Sequence, residues 1–187
     1  ATRYPDTYAW IYVDYTQVDY PVMKGPETNY YLYKNYKGED SKEGSITAQA
    51  DMSDIYSENT NNVFYGHCMK NGLMFRTIKT FMESANRNTL AKNMNIEVYA
   101  DEGLYIYEIF SGYRHDGSFF TKVNFTSSEK YLQFLDKVAE FNTLRVKPNY
   151  DENSKICTLI TCTNSSNEDE RYVLHGILKT FIPASQL

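Results

Sequence analysis

Cysteine is scarce in this chain, with three in 187 residues, which is too few for a disulfide scaffold. Cys157 and Cys162 stand five residues apart on one β-branched run, hence roughly 16 Å apart at strand rise, so they cannot bridge each other. With an odd count, at least one thiol stays free unless it pairs with another chain. No stretch approaches the roughly 20 apolar residues that cross a bilayer. The opening Ala1-Thr2-Arg3-Tyr4-Pro5 carries no signal-peptide pattern, so the chain as given is expected to be soluble. Basic charge is short as well: the net charge is −5, there is no Lys/Arg cluster, and the acids are spread through loops. That removes the phosphate-tracking stripe of nucleic-acid binders, and no nucleic acid partner is expected. No Pro/Gly-rich linker or composition shift divides the chain, so residues 1–187 read as one domain, long enough for a sizeable core.

What is present leans toward strands. Apolar residues at 42% and charged residues at 23% are ordinary for a globular protein, but 18 Tyr and 10 Phe favour a β-rich fold. Tyr4-Pro5-Asp6 opens a turn or a short helix start. Residues 9–13 and 18–22 read as short strands, with Trp10 expected as a core anchor. Residues 30–33 and 45–48 read as strands around a mixed-charge turn at 37–44. Apolar residues at 74, 75, 78, 81 and 82 have the spacing of an amphipathic helix. Residues 96–99 and 104–110 alternate as an antiparallel pair around Asp101-Glu102-Gly103. Thr126-Ser127-Ser128-Glu129 makes a capping box for a longer helix running through Tyr131, Phe134, Leu135, Val138 and Phe141.

The chemistry gathers around Ile156-Cys157-Thr158-Leu159-Ile160-Thr161-Cys162, a strand that ends on a thiol and is followed by the polar loop 163–170. The next strand, 171–178, can return beside it and bring Arg171 close to Cys162. A guanidinium beside a thiol favours the thiolate and can neutralise an oxyanion. A base comes from Asn62-Val63-Phe64-Tyr65-Gly66-His67, a second short strand whose end carries a histidine at a glycine-relaxed turn. Cys157 lies mid-strand, and Cys68 faces away from His67 if that segment stays extended, so both read as inert. His115 reads as a solvated loop residue, and His175 shares a strand face with Arg171 and could reach the site. Arg76, Arg87, Arg114 and Arg145 have no strand to bring them to the thiol. The plainer role for Arg171 is to balance Glu168, Asp169 and Glu170. Zinc is disfavoured, because His67, Cys68, Cys157 and Cys162 offer no pair at the spacing of zinc ligands.

Thr158-Leu159-Ile160-Thr161-Cys162 resembles the Thr-Leu-Xaa-Thr-Cys signature of sortases, the Gram-positive cysteine transpeptidases, and Arg171 fits their arginine. Tyr65 to Phe75 resembles the histidine segment of class B sortases, and Asp19-Tyr20-Pro21-Val22, Tyr30-Tyr31-Leu32 and Gly44-Ser45-Ile46 resemble that class's first strands. The resemblance covers nearly the whole chain. It implies a mainly β fold, a closed mixed barrel of about eight strands with peripheral helices, one of them between the sixth and seventh strands and walling the substrate groove. It implies that Cys162 attacks the threonine carbonyl of a C-terminal sorting signal, with His67 as acid and base and Arg171 holding the oxyanion or the substrate backbone. It requires no cofactor. The partners it implies are a surface protein or pilin bearing the signal and an amine acceptor, a peptidoglycan precursor or a pilin lysine. The location it implies is the extracellular face of a Gram-positive membrane, held by an N-terminal anchor missing from this chain. Two rival readings are a papain-type hydrolytic cysteine protease, with an added orienting Asn or Asp, and a non-catalytic adhesin or pilus component.

Overall fold

Period-two alternation along the first strand sets the inside and the outside of the molecule. In β1 (Thr7–Val13) the residues Ala9, Ile11 and Val13 are buried while Trp10 and Tyr12 face solvent. The computed structural model describes residues 4–147 and 149–187. Ala1-Thr2-Arg3, part of the segment read for a signal pattern, lies outside them. The remaining strands are β2 (Asp19–Met23), β3 (Ile46–Ala48), β4 (Asn61–Tyr65), β5 (Asn95–Ala100), β6 (Gly103–His115), β7 (Ile156–Cys162) and β8 (Arg171–Pro183). They close in the order β1-β2-β3-β4-β7-β8-β6-β5. Closure removes the exposed sheet edge that a strand-rich chain would otherwise present. The barrel is mixed, because β2 pairs with β3 and β4 with β7 in parallel while the other pairs are antiparallel.

Among the described residues three α-helices lie outside the sheet: α1 (Arg76–Glu83), α2 (Arg87–Ala91) and α3 (Ser128–Phe141), the last in the connection between β6 and β7. Helix α3 buries Tyr131, Phe134, Leu135 and Val138, and its Val138 carbonyl accepts from Ser111 Oγ of β6 at 2.8 Å. Among the described residues no helix is long and apolar enough to cross a membrane.

Four local expectations change. Trp10 is 44% exposed and donates its indole N–H to Asp19 at 2.6 Å; alternation in β1 gives the interior to its neighbours. Residues 30–33 form a 3-10 turn instead of a strand, so their tyrosines satisfied a strand propensity that the chain path overrides. The cap of α3 is Ser127, whose hydroxyl accepts from Lys130 N at 3.3 Å, one residue later than the Thr126 capping box. His115 ends β6 and packs its ring against Phe119 and Phe141, with centroids 5.1 and 4.7 Å away, instead of standing free in a loop.

Candidate active site

The parallel pairing of β4 and β7 carries the site. Tyr65 stands opposite Ile160; two residues further on come His67 on one chain and Cys162 on the other. Equal steps along parallel neighbours bring the imidazole and the thiol to the same level of the barrel. The continuation beyond β4 is held to β7 by Gly66 N donating to the Ile160 carbonyl at 3.2 Å and by Thr161 Oγ1 donating to the Gly66 carbonyl at 2.8 Å. A β-carbon at Gly66 would lie 2.6 Å from Ile46 Cδ1 and 2.8 Å from Phe75. The residue is therefore glycine because the chain passes tightly there, which differs from the relaxed turn expected.

Antiparallel pairing supplies the third group. Cys162, the last residue of β7, faces Arg171, the first of β8. The Arg171 Nη1 donates to the carbonyls of Glu168 and, at 3.0 Å, Glu170, which fixes the guanidinium against its own loop. Among the described residues its Nη2 and Nε make no hydrogen bond. The acids of that loop do not claim it: Glu170 pairs with Arg114, which holds the Glu170 carboxyl below the usual range. His67, Cys162 and Arg171 line one cleft of about 330 Å³ together with Leu32, Tyr33 and Gly66.

Several groups that shape this cleft carry no sequence signal of their own. His67 Nε2–H donates to the Leu32 carbonyl at 2.7 Å, and the Tyr33 ring packs edge-on at 5.5 Å. Both belong to the segment expected as a strand, whose 3-10 turn aims a carbonyl at the imidazole. Beyond the thiol, Lys79 of α1 donates to the Thr163 carbonyl. Asn164, at a left-handed φ of 56°, donates to the Cys68 carbonyl at 3.1 Å. Asparagine tolerates that conformation better than most residues, the one clue a sequence offers here.

The other candidates fall away from the cleft. Cys157, the second residue of β7, is fully buried, and burial pushes its thiol up. Burial also pushes Cys68 up, against the pull of Arg76, whose Nη1 lies 3.9 Å from its sulfur. His175 does not reach the site. It pairs with Thr158 deep in the ladder, is fully buried, and lies between Tyr113 and Thr158 at 2.8 Å each.

The sortase-domain family model matches residues 11–179. The chain belongs to the sortase family. Among curated proteins, this sortase is 27% identical over 177 residues to sortase B of Listeria monocytogenes, covering 94% of this chain and 70% of that protein. Its fold superposes on Clostridium perfringens sortase B with a TM-score of 0.81 at 28% identity, covering 94% of this chain and 95% of that one. It superposes on B. anthracis sortase B with a TM-score of 0.80 at 30% identity, covering 91% and 77%. These are class B relatives, and this sortase is a cysteine transpeptidase of that type.

Proposed function

We propose that residues 1–187 act as one catalytic domain in which Cys162 is the nucleophile, His67 the proton carrier and Arg171 the oxyanion or backbone grip. The reading is supported by one observation above all: strand register alone, parallel on one side of β7 and antiparallel on the other, brings the three side chains to one cleft. The substrate is the C-terminal sorting signal of a surface protein or pilin. The Cys162 thiolate adds to the threonine carbonyl carbon, and the oxyanion takes the guanidinium nitrogens of Arg171 that its loop leaves free. As the tetrahedral species collapses, the C–N bond breaks and His67 gives a proton to the departing amine, leaving a thioester. An incoming amine, from a cell-wall precursor or a pilin lysine, then attacks the thioester while His67 takes its proton. The thiolate leaves and the enzyme returns to its starting state.

With Nε2–H bound to the Leu32 carbonyl, Nδ1 is the nitrogen that exchanges the proton. The carbonyl also stabilises the imidazolium, the role that an Asn or Asp performs in papain-type proteases. Sortases act at the Gram-positive surface, and the extracellular face of the membrane is the location proposed for this chain. The test is mass spectrometry of a sorting-peptide library with and without an amine acceptor. A thioester on Cys162 that passes to the amine supports the reading. Products formed only with water, at the same rate in both arms, would overturn it.

A further inference from the structure

At the end of the barrel away from the cleft lies a second cavity. The strand register fixes its place: Arg171 and Cys162 meet at the end of the barrel where His115 closes β6. Tyr105 pairs with Phe181 at the opposite end, roughly 30 Å of strand away. The cavity measures about 430 Å³, within the usual range for small-molecule sites. Its lining is mostly apolar, with Phe181 and Leu178 beside the buried Tyr105, Tyr56 and Tyr107. The Tyr105 and Phe181 rings lie 4.6 Å apart, and Phe181 is 43% exposed, so an aromatic surface stays open to an entering molecule.

One cation lines this cavity. Among the described residues the Lys155 ammonium makes a single hydrogen bond, to the Asn59 carbonyl at 3.2 Å, leaving two of its three donors unused. Among the described residues no carboxylate pairs with it, and burial pulls its pKa down. The floor supplies no anion, because the Tyr56 and Tyr107 hydroxyls bond each other at 2.9 Å and burial pushes both far up. The acid on the wall, Glu102, accepts from Ser57 N at 3.1 Å and makes no ion pair with Lys155. A half-buried cation without a counter-ion, set among aromatic walls, is complementary to a molecule that brings a negative head and a flat apolar body.

We propose that this cavity is a binding site for a small aryl anion, a carboxylate or sulfonate, with its head on Lys155 and its ring against Tyr105, Phe181 and Leu178. Glu102 sets the orientation by repelling the head from the opposite wall. The site is independent of the transpeptidase chemistry and faces away from the sorting-signal cleft.

Fluorescence titration with 1-anilinonaphthalene-8-sulfonate, alongside the neutral N-phenyl-1-naphthylamine, tests it. Lys155→Met should weaken the anionic dye by at least about tenfold, the worth of one charge-assisted hydrogen bond, and leave the neutral dye unchanged. Lys155→Arg should restore the anionic dye, Glu102→Gln should tighten it, and Phe181→Ala should weaken both dyes. Displacement by 2-naphthoate and not by decanoate is expected. Equal displacement by decanoate would replace the aryl anion with an acyl chain and overturn the assignment. Anionic-dye affinity unchanged in both Lys155→Met and Phe181→Ala would overturn the site itself. The alkylation rate of Cys162 in each variant reports that the fold is intact.

Discussion

His67 and His175 are both held by hydrogen bonds at ring nitrogens, yet the barrel sets them in opposite surroundings. His67 stands beyond the end of its strand, half-buried and lining the cleft, with Nε2 on the Leu32 carbonyl and, among the described residues, no hydrogen bond at Nδ1. His175 is in mid-strand and fully buried. Thr158 Oγ1 donates to Asn61 Oδ1 at 2.7 Å, so it accepts from His175 Nδ1–H, and Nε2 accepts from the Tyr113 hydroxyl. Both nitrogens are engaged, and burial pushes this imidazole down to about 3. A histidine at a strand end with one nitrogen unclaimed is free for the proton transfer proposed here; one with both nitrogens claimed in a dry ladder is a structural part.

The contrast can be pressed from its strong end to its weak one. Cys162→Ala should abolish the acyl-enzyme adduct in intact-mass spectra while leaving the thermal midpoint unchanged, because nothing in the core rests on that sulfur. His67→Asn should lower kcat by about 10²–10⁴-fold, the usual weight of positioned acid–base catalysis, with the urea midpoint unmoved. A drop in midpoint comparable to that of a core variant would erase the distinction between the two histidines. Arg171→Lys keeps the charge but loses the two-pronged donor, so turnover should fall about 10²–10³-fold while alkylation of Cys162 changes little. Full turnover in that variant would reduce Arg171 to a neighbour of the thiolate.

His175→Ala should do the reverse of His67→Asn, sparing activity per folded molecule and costing about 1–3 kcal/mol for each buried partner left unmatched, read by urea unfolding. The same ring imposes a pH dependence. Between its folded value of about 3 and the ordinary 6.5 the unfolded chain binds a proton that the folded chain refuses. Stability should therefore be complete above about 6.5 and fall by roughly 1.4 kcal/mol per pH unit as the solution is acidified toward 3. His175→Ala should flatten that slope. The smallest effect is expected of Cys157→Ser, about 1 kcal/mol with activity retained, and loss of activity there would overturn the separation of the two thiols on β7.

Strand runs bounded by turn residues, the β5–β6 hairpin and the helix before β7 were legible because each depends on local periodicity. The residues proposed for the site, His67, Cys162 and Arg171, rest on strand ends followed by loops, which are local events, and on their motif; they line one cleft. What escaped depended on the path of the chain. Tyr30 to Tyr33 have strand propensity yet bend into the turn whose Leu32 carbonyl holds His67, and no window of a few residues reports a carbonyl's direction. Trp10 was misjudged because closure of the barrel decides which half of an alternating strand is interior. His175, expected to reach the site, does not, because it lies in the interior with Phe134 of α3 at a ring-centroid distance of 6.5 Å.

The parallel ladder between β4 and β7 also makes the spacing of imidazole and thiol chiefly a property of five paired rungs. The loops between β4 and β7 can change length without resetting that spacing, so long as β5 and β6 keep their places in the barrel. A single inserted residue after Tyr65 or after Ile160 would shift one partner by a full rung and turn its side chain to the other face. The spacing of His67 and Cys162 thus tolerates changes in distant loops and almost none within two residues of the pair.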